Sequence, residues 1–376
     1  MNDSSSKYQC IQAIRHNSII NNDESVEIYL SIEKKFIGKG TFAIVYKSFI
    51  ENTKELVAIK EIIVDHKHKN RELEILRKLN HPNIIKLKYY FFKQEINNQK
   101  LNNNILCLIM ELFPETVYSL IQRWHKKFNQ SFIDFNQIKL FTFQIFRALA
   151  YLHDRGIAHR DIKPTNILVN CQKGLLKICD FGTAKYLLPN DISVSYICSR
   201  YYRAPELILG STSYTTSIDI WATACVLTEF YSGVPLFKGT DQNDQLFQII
   251  LLLGEPNVDE IRDLKPKSDI IIHQQIQRKI SLIDKSKTII EHLTSITKSD
   301  FDCVQFCLRL FQYSPNQRLT ALYALKDKYY DEIRQKKSLI YLLEFDQTEL
   351  HLFDSSVFKS IINENKSPEQ QSTEKN

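Results

Sequence analysis

Between His159 and Glu206, a span of fewer than fifty residues, the chain carries three short signatures in a set order. They are His159-Arg160-Asp161-Ile162-Lys163-Pro164-Thr165-Asn166, then Asp180-Phe181-Gly182, then Ala204-Pro205-Glu206. A fold that uses them together must present a proton-accepting carboxylate, Asp161, near a lysine, Lys163. It must also present two hard oxygen donors, the Asn166 amide and the Asp180 carboxylate, of the kind that holds Mg²⁺. Such a set suits phosphoryl transfer, which asks a protein for positioning and charge neutralisation more than for covalent chemistry.

Composition narrows the partners. Of 376 residues, 43% are hydrophobic and 24% charged, enough to bury a core in one large two-lobed domain or in two domains. The net charge of +6 comes without any block of five or six basic residues, so nucleic-acid binding is not expected. The surplus fits acidic ligands such as nucleotide phosphates. Eight cysteines occur without a Cys-x-x-Cys pair, as expected of free thiols in a reducing compartment. Cys303 and Cys307 have helical spacing but no histidine partner, which argues against zinc. No run of ~18 apolar residues, signal pattern or lipidation motif is present, so no membrane association is expected and a cytoplasmic or nuclear location is.

Hydrophobic spacing divides the chain. Residues 1–28 are polar and aperiodic and are expected to form a flexible tail; 336–376 are expected to be a C-terminal extension, flexible at its end. From 34 to 64 the alternation predicts strands, and Leu73, Leu76 and Leu79 predict a helix over 69–79. Strands are predicted at 84–93 and 105–112, with an Asn-rich loop over 97–104 between them. Helical patterns follow at 136–153, 217–231, 244–253, 301–311 and 320–334. The pattern implies an α+β protein, with a strand-rich lobe over about 29–109, a hinge at 110–114 and a helical lobe over 115–335.

The first of these lobes offers a phosphate-binding turn. Ile37-Gly38-Lys39-Gly40-Thr41-Phe42-Ala43-Ile44-Val45 joins two strands, and its glycines allow backbone amides close to a ligand. Lys60, in Val57-Ala58-Ile59-Lys60, is the candidate for the nucleotide phosphates, and Glu72 for the carboxylate that holds its ammonium. A buried lysine needs such a partner. Glu206 and Arg318 are candidates for a structural ion pair, and Asp219 for a hydrogen-bond acceptor under the 159–166 loop.

Together these motifs match the protein kinase plan, and Ser195-Tyr196-Ile197-Cys198-Ser199-Arg200-Tyr201-Tyr202-Arg203 closely resembles the activation segment of the glycogen synthase kinase 3 family. Lys69-Asn70-Arg71-Glu72-Leu73, Pro114-Glu115-Thr116-Val117-Tyr118 and Leu176-Lys177-Ile178-Cys179-Asp180 resemble it too, and the likeness runs over about residues 30–335. It implies a bilobal kinase fold and a serine/threonine kinase using ATP and Mg²⁺. It places Asp161 as base, Lys163 on the transferred phosphoryl group, and Asn166 and Asp180 on the metal. It also implies adenine contacts from Ala58, Met110, Glu111, Phe113 and Leu168, and phosphorylation of Tyr196 with Arg200 and Arg203 beside it.

Related cyclin-dependent and mitogen-activated kinases carry a phosphorylatable threonine where this chain has Val194. Arg71, Arg160 and Lys185 match the basic trio that clasps that phosphothreonine. Without an internal phosphate the three cations invite an outside anion. The resemblance implies that this anion is a priming phosphate, four residues C-terminal to the target Ser or Thr of a protein substrate. Two departures limit the likeness. The stretch Asp269–Ile276 lacks the family's aromatic docking residues, so scaffold binding of the axin type is not expected. Arg15-His16-Asn17-Ser18 only loosely matches an inhibitory N-terminal phosphoserine. A binding-only scaffold and a proline-directed kinase indifferent to priming are the rival readings.

Overall fold

Alternating apolar residues close the first part of the chain into a ring of strands. The computed structural model describes residues 7–17, 22–40, 43–64, 70–97, 100–127, 134–188, 191–267 and 289–335. They fall into two compact units, Met1–Pro114 with Cys179–Ala184, and Glu115–Ile178 with Lys185–Asn376. The expected extension 336–376, the stretch 269–276 and Ser18 lie outside the described residues.

In the first unit, β1 (Tyr8–Asn17), β2 (Asn22–Ser31), β3 (Lys35–Lys39), β4 (Ala43–Ile50), β5 (Glu55–Val64), β6 (Leu87–Asn97) and β7 (Lys100–Glu111) form one antiparallel sheet in the order β2-β1-β6-β7-β5-β4-β3. Leu30 of β2 also pairs with Ile50 of β4, which brings the far edge back onto the sheet. Inside lie Ala13, Ile28, Leu30, Ile50, Val57, Ile59, Tyr89, Phe91, Cys107 and Ile109. The expected tail 1–28 is thus corrected over its described residues, because β1 and β2 pair along their whole length from Tyr8↔Ser31 to Asn17↔Asn22. The hairpin commits few apolar side chains fully to the interior, chiefly Ala13, Ile28 and Leu30. Its Asp23 also accepts hydrogen bonds from Arg77 Nη2 at 2.8 Å and the Tyr90 hydroxyl at 3.0 Å. The expected Asn-rich loop is corrected as well. β6 and β7 run on through it, paired to Asn97↔Lys100, because ladder hydrogen bonds satisfy the backbone there without an apolar pattern.

The helix of this unit, α1 (Arg71–Arg77), is shorter than expected and starts where the Asn70 side chain accepts the Leu73 amide at 3.0 Å.

The second unit is mainly helical. β8 (Glu115–Thr116) is followed by α2 (Val117–Lys127), α3 (Phe135–Asp154), β9 (Ile157–Ala158), β10 (Ile167–Asn170), β11 (Leu175–Ile178) and β12 (Lys185–Tyr186). Then come α4 (Pro205–Ile208), α5 (Ser217–Ser232), α6 (Gln242–Leu253), α7 (Val258–Leu264), α8 (Ile289–Ile296), α9 (Phe301–Leu310), α10 (Ala321–Leu325) and α11 (Asp331–Gln335). The predicted helix over 320–334 is therefore broken, with a short 3₁₀ turn at Lys328–Tyr330 between its halves. α5 is mostly apolar and shows no single apolar stripe because it is buried on every face from Ile218 to Tyr231. It ends at Gly233, whose φ is 78° and where a Cβ would stand 2.4 Å from the His125 ring, so only glycine fits.

The ring of strands makes a stability prediction. Ile28→Ala and Leu30→Ala should each cost about 2–5 kcal/mol in denaturant unfolding, whereas Ile32→Ala, at an exposed position, should cost under about 0.5 kcal/mol. Equal, small effects at all three would mean that the hairpin is not part of the folded core.

Candidate active site

In the first unit the site grows out of β5 and α1. Register places Ala58 against Met110 and Lys60 between Val45 and Leu108. Lys60 Nζ donates to Glu72 Oε1 and Oε2 at 2.7 and 2.8 Å and to Asp180 Oδ1 at 2.7 Å. The lysine and Glu72 are buried, whereas the Asp180 side chain keeps 45% of its surface. Burial works to lower the Lys60 pKa, but the Glu72 and Asp180 carboxylates outweigh it and hold the ammonium above its ordinary value. Burial likewise pushes Glu72 upward, against the pull of Lys60.

One ammonium therefore faces two carboxyls, and the residual negative charge lies on the more exposed of them. A divalent cation bound through Asp180 fits that imbalance. Among the described residues no group of three His, Cys, Asp or Glu side chains could hold a metal alone. Mg²⁺ is commonly held by one or two protein oxygens together with substrate phosphates. Asp180 also has a left-handed backbone, φ 64°, a strained setting for a residue with a Cβ.

The glycine turn lies on β3 and β4. Gly38 pairs with Val45, and the Gly40 amide donates to Ala43 O at 2.8 Å. A Cβ on either glycine would meet nothing closer than 3.8 Å, so packing within the protein does not demand glycine there. Lys39 and Ile37 are exposed and Ile44 and Val45 half-buried. Thr41 and Phe42 lie outside the described residues. Met110 is buried, the Glu111 amide donates to Lys86 O at 3.3 Å, and Phe113 is half-buried. Arg71 opens α1 with an exposed side chain.

In the second unit Asp161 is a hub. Its Oδ1 accepts from the Ser199 amide at 3.1 Å and the Ser199 hydroxyl at 3.0 Å. Its Oδ2 accepts from Asn166 Nδ2 at 2.9 Å and pairs with Lys163 Nζ at 2.7 Å. Asn166 Nδ2 also donates to Asp161 O at 3.0 Å, which fixes the amide so that its oxygen is the end presented as a ligand. Leu168 lies on β10, paired with Thr116 and Lys177.

The loop is held from below by Asp219. Its carboxylate accepts the His159 amide at 2.8 Å, the Arg160 amide at 2.9 Å and His153 Nε2 at 3.0 Å. Burial works to raise the Asp219 pKa, but the His153 bond and the His153, His159 and Arg160 groups outweigh it and hold the carboxyl below its usual range. Arg160 has φ 67°, and the accepted amides of His159 and of Arg160 itself stabilise that left-handed turn. The expected Glu206–Arg318 pair is present and bidentate, at 2.6 Å for both bonds, and almost fully buried.

Arg160 and Lys185 meet the activation segment at adjacent residues. Arg160 Nη1 donates to the Tyr214 hydroxyl at 2.9 Å, which donates on to Val194 O at 3.0 Å. Lys185 Nζ donates to Ser193 Oγ at 2.8 Å and pairs with Asp191 at 3.3 Å. Tyr196 is 72% exposed, with the Arg203 guanidinium 4.6 Å from its ring centroid. Arg203 is held there by the carbonyls of Ile197 and Cys198, both at 2.9 Å. Arg200 instead donates to the carbonyls of Gly239 and Thr240. Sequence reasoning missed Ser199, Tyr214, Ser193 and Asp191. None has a spacing that marks it, and each acts through a neighbour that does.

Comparison with known proteins fits this geometry. The protein kinase domain family matches residues 31–330. Glycogen synthase kinase 1 of Pyricularia oryzae is 41% identical over 300 residues, covering 80% of this chain and 72% of the relative. Protein kinase gsk31 of Schizosaccharomyces pombe is 40% identical over 319 residues, covering 85% and 80%.

A buried carboxyl on α5, bonded to Tyr202 of the activation segment, makes the fold pH-sensitive. Glu229 accepts the Tyr202 hydroxyl at 2.7 Å, and burial pushes its pKa up to about 7, against the Tyr202 bond and Lys238. Its ionisation is easier in the unfolded chain, so it destabilises the native state as pH rises from the unfolded value towards about 7. Glu229→Gln should remove that loss. Its stability relative to the wild type should rise by about 2 kcal/mol between pH 5 and pH 8, read by urea unfolding. A pH-independent difference would refute the assignment.

Proposed function

The chain belongs to the glycogen synthase kinase 3 family of serine/threonine protein kinases, and we propose that it prefers substrates already phosphorylated four residues C-terminal to the target hydroxyl. Protein kinases use ATP and Mg²⁺. Magnesium bound with ATP would supply charge neutralisation on the phosphates, and the family resemblance assigns Asp180 and the Asn166 oxygen to hold it. Lys60, kept charged by Glu72, binds the nucleotide phosphates. By the family resemblance the 37–45 turn serves the phosphates, and Ala58, Met110, Glu111, Phe113 and Leu168 serve the adenine. Asp161 orients the substrate hydroxyl and accepts its proton, and Lys163 balances charge beside it.

The observation that carries the priming preference is the placing of Arg160 and Lys185 against residues 191–194. The position where relatives carry a phosphothreonine is Val194, which has no hydroxyl. A phosphate brought by the substrate would supply the missing anion, with Arg71 as the third cation. The rival, a kinase indifferent to priming, is favoured by the Lys185–Asp191 pair, because that cation already has a partner. Magnitudes decide for priming. The pair is part-exposed, and such pairs contribute about 0.2–1 kcal/mol. Charge-assisted hydrogen bonds to a phosphate contribute about 1.5–3 kcal/mol each.

Tyr196 is the proposed site of activating phosphorylation. Its exposure leaves the hydroxyl accessible, and Arg203 stands beside the ring to pair with a phosphate. Intact-mass and phosphopeptide analysis of the purified protein should find one phosphate on Tyr196, absent from Tyr196→Phe.

Steady-state assays on a peptide with and without phosphoserine at the fourth position downstream should give kcat/KM about tenfold or more higher for the phosphorylated form. Equal values would favour the unprimed rival. Asp161→Asn should lower kcat by ~10²–10⁴-fold on both peptides. If the wild type transferred no phosphate at all, a binding-only scaffold would be the better reading.

A further inference from the structure

We propose that Asp191 is a built-in occupant of the basic site in the second unit, and that its carboxylate sets how strongly the enzyme distinguishes primed from unprimed substrates. The inference rests on the priming reading above and adds to it a residue that competes with the substrate phosphate.

The geometry ties Asp191 to the site from two directions. Its Oδ2 lies 3.3 Å from Lys185 Nζ and also accepts the Leu188 amide at 3.4 Å, while its own amide donates to Leu188 O at 3.1 Å. The carboxylate is therefore aimed at the lysine by its own backbone surroundings. Lys185 is held in the same place by Ser193 Oγ, and Ser193 is fixed by its amide donating to Thr212 O at 2.8 Å. Arg160 reaches the next residue, Val194, through the Tyr214 hydroxyl. The stretch 191–194 thus engages both cations, one through a carboxylate and one through a hydroxyl relay.

Charge counting gives the consequence. Two cations face one carboxylate, so the site keeps a net positive charge and still attracts a phosphate dianion. To bind fully on Lys185, that dianion has to displace Asp191. The Asp191 side chain is 35% exposed and can turn into water when displaced, so the exchange is feasible. The lost pair lowers the advantage of a primed substrate without abolishing it. Asp191 is then a specificity-determining residue that acts through Lys185 and not by contact with the reacting atoms.

Asp191→Asn tests this directly, because the amide oxygen can still accept the Leu188 amide while the charge is gone. The readout is the ratio of kcat/KM on the phosphoserine peptide to that on its unphosphorylated twin. Asp191→Asn should raise the ratio about two- to fivefold, and Asp191→Glu should return it to the wild-type value. Inorganic phosphate, as an inhibitor of the primed reaction, should bind Asp191→Asn tighter by a similar factor. An unchanged or lower ratio in Asp191→Asn, or the same rise in Asp191→Glu, overturns the inference. A wild type that prefers the primed peptide, with an Asp191→Asn ratio no higher, sinks this inference and leaves the priming reading standing. A ratio of one in the wild type, Asp191→Asn and Lys185→Ala alike sinks both. A wild-type ratio near one that rises in Asp191→Asn supports the inference, because the carboxylate then masks the preference.

Discussion

A single ammonium shared by two carboxyl groups organises the first unit. Lys60 bonds to both oxygens of Glu72 and to Asp180, drawing β5, α1 and the 180–182 turn onto one point. Leaving Lys60 or Glu72 buried and unpaired would cost several kcal/mol, on the order of 3–5. The elements that carry them are thereby locked in register. Glu72 is directed to the point by the Asn70 cap at the start of its helix, and Phe181, fully buried, anchors the turn that presents Asp180. Lys60, Glu72 and Asp180 together carry one more negative than positive charge, which suits Asp180 to a metal.

The second unit solves a related problem with backbone amides. Asp161 needs an open face and a fixed direction, and its four donors supply the direction. The loop that carries it bends through a left-handed Arg160, a setting that costs about 1–2 kcal/mol for a residue with a side chain. Asp219, itself buried on α5, offsets that cost by accepting the amides of His159 and Arg160. The same strained turn sends the Arg160 side chain to Tyr214 and so to Val194. One backbone device therefore sets both the direction of the catalytic loop and the course of the Arg160 side chain.

Much of this was legible in the chain. Lys60, Glu72, Asp161, Asn166 and Asp180 stand in short motifs whose residue types are dictated by charge and metal chemistry, and the expected Lys60–Glu72 pair is present. The Glu206–Arg318 pair and the Asp219 acceptor were legible too, because buried charges need partners. The N-terminal hairpin was not. Its polar strands commit only a few side chains such as Ala13, Ile28 and Leu30 to the core, too sparse a pattern to read as alternation. The extension of β6 and β7 through Asn-rich sequence was hidden for a similar reason, since ladder hydrogen bonds leave no trace in residue type. Asp191 and Ser193 could not be found, because their meaning depends on a lysine brought beside them by the pairing of β12 with β9.

The charge imbalance at Asp180 is the claim on which the rest turns, and it can be measured without a protein substrate. Titration calorimetry of ATP binding with and without Mg²⁺ should show the metal tightening binding to the wild type but scarcely at all to Asp180→Asn, in which the cluster is already balanced. Equal tightening by Mg²⁺ in both proteins would contradict the account.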